Sequence, residues 1–265
     1  GDRIMDGDLR GEGLVISEAL KEELNKLALA SRILEMEGHG DFTLGHLGMR
    51  DPEGRGVWIK RWGLTLGEVY DWTDHQLIDF KGKLLYGDGK KRHSEWPIHV
   101  AIYKARPDVM ATAHTHPEYG TIFSCSKEPL RPLSNAGSSF YEPPPRFEET
   151  SELVRSLEVG ERMAAAMGRG PAVFLRNHGV AFCGSSIEEM TVVGAKLEIA
   201  CRQMIQIAAS GMAYDWPEGD ELSRKAKTMN EGRNNGLMFD YFTNRLKAAQ
   251  EQGHPDLPKE RRAAR

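Results

Sequence analysis

From Ser17 to Gly38 the chain mixes charged residues with Leu20, Leu24, Leu27, Ala28 and Leu34, which recur at helical spacing. That spacing gathers apolar side chains on one face. Ser17 can cap the first free amides and Gly38 can stop the run, so a first helix is expected here. Patterns of the same period predict helices over 94–105, 148–167 and 187–209. The last opens at Ser186 with Glu189 three residues on, the two partners of a capping box. Between them lie short runs rich in β-branched and aromatic residues, bounded by Gly, Asp or Pro: GVWIKRW, LIDF, VMATAHTH and AVFLRNHGVAFCG. They read as strands, and RNHG within the last reads as a tight turn in which Gly179 takes a positive φ. Helices mixed with short antiparallel strands predict an α/β fold, a mostly antiparallel central sheet flanked by helices.

A chain of 265 residues with 40% apolar content can bury one sizeable core. One domain over 14–212 is expected, followed by a helical extension over 213–265 that is a candidate to pack on a neighbouring subunit. Residues 1–13 and 253–265 are charged and rich in Gly or Pro, and are expected to fray or to take partner-dependent order. The net charge of −4 supplies no basic field, which argues against a nucleic-acid partner. No apolar run approaches the ~20 residues of a membrane span, and the first residues, GDRIMDGDLRGEG, are polar. A soluble, cytoplasmic protein without a membrane partner is expected. Cys125, Cys183 and Cys201 are widely spaced and outside any CxxC, so they read as small buried hydrophobes rather than a disulfide or zinc framework.

The chemistry begins at ATAHTHPEYG, residues 111–120. Side chains alternate along a strand, so His114 and His116 project to one side and Thr115 to the other. Pro117 cannot donate to a ladder and ends the strand where sites usually sit. Two imidazoles aimed at one point are part of an open metal site, which wants three protein ligands and a free position. His178, at the turn after an apolar strand, is the candidate third ligand. Glu95 lies in HSEWPIHVAIYKARPDV, where Ser94 reads as an N-cap, Pro97 fits the first turn, and Ile98, Ala101, Ile102 and Ala105 line a buried face. Local sequence leaves two readings of Glu95. One is a carboxylate favoured by the helix dipole, worth about 0.3–1 kcal/mol; the other is a general acid/base beside a metal.

The ordered set GDFTLGHLGMR, HSEWPIHVAIYKARPDVMATAHTHP and FLRNHGVAFCG resembles the class II aldolase/adducin family, over roughly residues 17 to 210. The resemblance implies a nine-stranded antiparallel sheet between helices, assembled as a homotetramer with active sites at subunit interfaces. It implies that His114, His116 and His178 hold a divalent metal, zinc foremost, with Mn, Co or Fe as alternatives. It also implies that Glu95 is the acid/base, matching the family's aldolases where its epimerases carry an aspartate. This sequence departs from the sugar-phosphate members where they grip phosphate. GHLG places His46 where they have Asn, RWG places Arg61, Trp62 and Gly63 near their Thr-Gly pair, and His93 stands before Ser94 in place of a serine. A wider cationic or aromatic pocket is therefore expected, with Arg61 and Lys60 available to a carboxylate, Trp62 to stack on a planar substrate, and His46 and Ser94 lining it. An exposed strand with solvated charges is the competing reading of WIKRW. The aldolases' interface tyrosine has no clear counterpart, and Tyr141, close after PLSNAGSSF, is the nearest candidate; Tyr214 and Tyr241 could reach a neighbouring subunit.

A metal held by three histidines can stabilise the enolate left when a C–C bond breaks. Decarboxylation and retro-aldol cleavage share that intermediate. The altered phosphate elements favour a small-molecule substrate that is a non-phosphorylated hydroxy, keto or hydroxyaromatic acid, hence a decarboxylase ahead of an aldolase. An Fe(II) oxygenase on the same fold is a further reading. The three histidines together with the glutamate argue against a non-catalytic scaffold.

Overall fold

The computed structural model describes residues 14–89 and 91–263; the expectation for residues 1–13 lies outside the described residues. The first helix, α1 (Glu18–Leu34), starts as expected, with the Ser17 hydroxyl accepting from Leu20 N at 3.1 Å. Its C-terminal end widens into a π-turn over Glu35–His39, and Gly38 ends it at φ 90°. The chain then lays down β1 (His46–Arg50), β2 (Val57–Lys60), β3 (His75–Ile78) and β4 (Leu84–Tyr86) as an antiparallel meander. Helix α2 (Trp96–Ala105) leads into β5 (Ala111–Thr115), followed by the short helices α3 (Glu118–Ser124) and α4 (Asn135–Ser138). Next come β6 (Arg146–Phe147), α5 (Leu157–Met167), β7 (Ala172–Leu175), β8 (Gly179–Gly184) and the long α6 (Ile187–Ser210). Helices α7 (Gly219–Met229) and α8 (Arg233–Glu251) follow.

The sheet runs β4-β3-β2-β1-β5-β8-β7-β6, eight strands among the described residues rather than nine, and antiparallel except for the edge pair β6/β7. Both faces are covered, which is why β2, β3, β5, β7 and β8 are buried along their whole length. Trp58, Leu77, Ala113 and Phe182 face a core shared with Leu24, Leu27 and Leu197 of α1 and α6. Ile59, Ile78, Val173 and Ala181 face the other, shared with Ile98 and Ile102 of α2 and Met163 of α5.

Four local expectations are corrected. Ser94 is exposed and does not cap α2; the N-cap position is Glu95, whose side chain makes no cap hydrogen bond because it turns into the sheet's polar end. The helix expected from 148 starts only at Leu157, where Ser156 accepts from Val159 N. In the β7–β8 turn the positive φ belongs to Asn177 (56°), not Gly179. Gly179 is needed for space: a Cβ there would meet Thr115 O at 2.6 Å and His116 Cδ2 at 2.7 Å. Cys125 is exposed, whereas Cys183 and Cys201 are buried as expected.

The C-terminal extension folds back on its own chain. Phe239, Phe242, Leu246 and Leu257 join the α1/α6 core, and Arg261 pairs with Asp71 and Asp74. Tyr214 and Tyr241 remain exposed.

Candidate metal centre and active site

Four elements bring the candidate residues to one end of the sheet. His114 lies on β5, directly opposite His46 of β1 in the antiparallel register, so both side chains leave the same face. His116 follows β5, His178 sits in the β7–β8 turn, and Glu95 stands at the start of α2. One nitrogen from each histidine and one Glu95 carboxylate oxygen lie within 4.8 Å of one another. The imidazole centroids are 4.8 Å (His114–His116), 4.9 Å (His114–His178) and 5.2 Å (His116–His178) apart.

The outward nitrogens are fixed by the protein. His114 Nδ1 is 3.0 Å from the Val180 carbonyl and His116 Nδ1 is 2.8 Å from Asp41 Oδ2. Both acceptors require an N–H, so each Nε2 is left with its lone pair facing inward. Those two Nε2 atoms are 3.1 Å apart, and His114 Nε2 is 3.0 Å from Glu95 Oε2. Lone pairs and a carboxylate at that separation repel unless a proton or a cation lies among them. His178 Nε2 is buried without a hydrogen-bond partner, 3.4 Å from Glu95 Oε1. The donor set thus fits a divalent metal, with three imidazole nitrogens offered and Glu95 beside them. Glu95 is further anchored by Val154 N, which donates to Oε1 at 2.8 Å.

Burial works to raise the Glu95 carboxyl, but the His114 and His178 imidazoles outweigh it and hold the group well below the usual carboxylate range. Burial opposes protonation of His114 too, and there Glu95 prevails, raising it. His116 is pushed down to about 4 by burial and by His114 beside it. The positive charge that Glu95 and His114 call for is the charge a metal would bring.

A second layer of histidines stands next to this centre. The His46 ring is 5.5 Å from that of His114 and 4.5 Å from that of His93. His46 Nδ1 meets His99 Nε2 at 2.6 Å, His99 Nδ1 meets Thr112 Oγ1 at 2.6 Å, and Thr112 Oγ1 donates to the Tyr103 hydroxyl at 2.8 Å. Gly48, two residues after His46 on β1, leaves room for this stack: a Cβ there would lie 3.1 Å from His99 Nδ1. Burial drives His46 well below its ordinary value and His99 down to about 3, so the stack is neutral.

The other candidates are not among the four residues that converge. Arg61 is held by Asp88 at 2.9 Å and lies 3.6 Å from Asp74, because β2 ends against the loop that carries Asp88. Lys60 is fully buried, and its ammonium donates to the Thr43 and Leu64 carbonyls. Both cations are thus engaged by acceptors of the protein itself. Trp62 is exposed, with Lys91 Nζ 5.9 Å over its ring. Ser94 is exposed next to Glu95. Tyr141 is not brought to the centre within one subunit; α4 packs against α6 and α7 and carries Ser139 and Phe140 to a cavity at the Gly184 end of β8, the far end from His178. Reading the sequence missed Asp41 and His99, which carry no local pattern and acquire partners only through sheet pairing.

A family model described as the class II aldolase and adducin N-terminal domain matches residues 25–205. The chain is 30% identical over 212 residues to a 3,4-dihydroxyphthalate decarboxylase of Terrabacter sp., covering 75% of this chain and 87% of that protein. It is 31% identical over 132 residues to a 4-hydroxy-3-prenylphenylpyruvate oxygenase/4-hydroxy-3-prenylbenzoate synthase of Streptomyces roseochromogenus, covering 49% and 48%. Among solved structures, an L-fuculose 1-phosphate aldolase from Glaciozyma antarctica superposes with a TM-score of 0.77 at 24% identity, covering 92% of this chain and 96% of that one.

Proposed function

The chain belongs to the class II aldolase and adducin family, and on that premise we propose that it is a metal-dependent carbon–carbon lyase that decarboxylates a non-phosphorylated hydroxy, keto or hydroxyaromatic acid. The observation that carries this reading is the convergence of His114, His116 and His178 with Glu95 within 4.8 Å, the outer nitrogens of His114 and His116 being engaged at Val180 and Asp41. The similarity to a 3,4-dihydroxyphthalate decarboxylase supports the choice of reaction.

His114, His116 and His178 would hold the metal, zinc foremost, which supplies an electrophile for oxygens next to the breaking bond. Glu95, ionised and anchored by Val154 N, takes the proton of a substrate hydroxyl. As the C–CO2 bond breaks, its electron pair stays on the substrate carbon and CO2 leaves. Glu95 then delivers its proton to that carbon, and the oxyanion regains a proton from water. The net change is a carboxylate plus water giving the protonated product, CO2 and hydroxide. Burial of Glu95 and His114 keeps bulk water from protonating the carbon at random. A homotetramer whose neighbouring subunit completes the site, through exposed Tyr214 or Tyr241, belongs to the same reading, as does the division into a 14–212 domain and a 213–265 extension.

The test is metal analysis of the purified chain, then chelation and restoration with CO2 release followed on hydroxybenzoic and dihydroxyphthalic acids. Metal-dependent CO2 release supports the proposal, and aldehyde release from hydroxy-carbonyl compounds with none from acids replaces it by an aldolase. An oxygenase is a second reading, favoured by the 31% identity to a prenylated-hydroxyphenylpyruvate oxygenase and by an open three-imidazole donor set, which also suits Fe(II). Oxygen consumption in the ferrous protein would select it.

A further inference from the structure

The end of the sheet opposite the metal centre holds a cavity of about 360 Å3. Gly184 pairs with Ala111 and Val180 with Thr115, so the β5–β8 ladder separates the two by roughly 13 Å, at about 3.3 Å per residue. The cavity is walled where α4 meets α6 and α7. Glu189, Val193 and Lys196 recur at i, i+4 and i+7 along α6 and so share the face turned to it, while Ser139 and Phe140 arrive from the end of α4. The wall thus combines charge with an apolar patch.

Its charged side chains are not alike. Arg106 donates to both oxygens of Asp108, at 2.9 and 2.8 Å, and to the Gly168 and Gly170 carbonyls, so that pair is closed. Glu189 accepts from Ser185 Oγ at 2.6 Å. Lys196 differs: its ammonium donates to the Met229 carbonyl at 2.9 Å, and among the described residues no carboxylate pairs with it. Burial lowers Lys196 and no anion opposes the shift. An ammonium carries three donors, of which one is used here. Ser139 Oγ, on the same wall, is buried without a partner, and a hydroxyl left so costs about 1–3 kcal/mol unless a ligand engages it. With Arg106 and Asp108 cancelling, Lys196 and Arg169 against Glu189 leave the wall a net charge of +1. One negative charge balances it.

We propose that this cavity binds a small monocarboxylate, its anionic end on the Lys196 ammonium and the Ser139 hydroxyl and its apolar body against Phe140 and Val193. The volume falls within the ~300–1,000 Å3 of small-molecule sites. An uncharged or cationic ligand would leave the ammonium without a counter-ion, and a dicarboxylate would set its second charge against Glu189. The site is separate from the metal centre and does not rest on the lyase reading.

The test is titration calorimetry on the full chain, zinc-loaded and chelated, with benzoate, benzyl alcohol, benzylamine and terephthalate as probes. Benzoate is expected to bind the chelated chain about tenfold tighter than each of the other three, the equivalent of about 1.4 kcal/mol. Lys196→Met keeps the bulk of the stem and removes the charge; it should bring that preference to near unity, whereas Lys196→Arg should keep most of it. Val193→Phe, which fills the cavity and leaves the ammonium in place, should weaken benzoate by a similar factor. His114→Ala should leave this binding unchanged, because that ring belongs to the other end of the ladder. Benzoate binding that survives both Lys196→Met and Val193→Phe, that is lost on chelation or in His114→Ala, or that benzyl alcohol or terephthalate matches would overturn the site, as would no binding of benzoate. CO2 release is scored separately, so the lyase reading can fail while this site stands, and the reverse.

Discussion

Two histidines on opposite faces of the same strand are equally buried and have opposite meanings. His39 and His114 are both inaccessible to solvent. His39 packs on the α6 side of β5, its Nδ1 2.7 Å from Thr115 Oγ1 and its Nε2 3.0 Å from the Gly194 carbonyl. Both nitrogens are consumed, and the ring is a crosslink between strand and helix. His114 has one nitrogen on a carbonyl, and the other points at His116 and Glu95. Burial is therefore no guide to function; what separates the two is whether the second nitrogen ends on a protein acceptor or on another donor set.

The sharpest way to break the comparison is to remove each ring. His114→Ala or His116→Ala should take metal content to near zero and lower turnover by about 10³-fold or more, since the metal is worth several kcal/mol of barrier. His39→Leu should keep stoichiometric metal while its melting temperature falls. Equal metal loss in both, by elemental analysis, would erase the distinction. Glu95→Gln should cost about 10²–10⁴ in kcat, the usual range for a positioned acid/base, with metal retained. Full activity in that variant would remove Glu95 from the proton transfer.

A smaller effect separates the two rings by pH. Burial holds His39 at about 4, below its ordinary 6.5. Between those values the unfolded chain binds the extra proton, so the contribution of His39 is present above pH 6.5 and is lost as pH falls through 4. The loss is at most about 3 kcal/mol. Denaturant melts of the wild type and His39→Leu across that window should converge towards the acid end. Asp41→Asn tests the support behind His116: metal affinity should weaken about 10–100-fold, with little change in the metal-free protein's melting temperature. The smallest effect is expected at Arg61→Ala. Its guanidinium is already engaged by Asp88 and faces Asp74, so KM should be unchanged and stability should drop by about 1 kcal/mol or less. A large rise in KM for an acid substrate would return Arg61 to the site.

The parts of the fold legible in advance were those governed by local chemistry. Ser17 and Ser186 cap α1 and α6 because a hydroxyl at a helix start meets free amides whatever lies around it. β1, β4 and β6 are not legible as strands in the sequence, because they take their conformation from the strands beside them. Ser94 shows the limit of the same logic. It has the chemistry of a cap, yet the chain enters α2 one residue later, with Glu95 drawn into the cluster.

For the site, the sequence by itself determined that His114 and His116 leave one face of one strand, because alternation is a property of the extended backbone. With the family resemblance it also named His178 and Glu95. Only the tertiary structure decided that Asp41 and Val180 turn the lone pairs inward, that Arg61 and Lys60 are committed elsewhere, and that His46, His93 and His99 line up as a neutral stack. These facts depend on which strand lies beside which and on which donor reaches which acceptor first. Such long-range pairings are settled by packing the whole sheet and leave no mark in the spacing of residues along the chain.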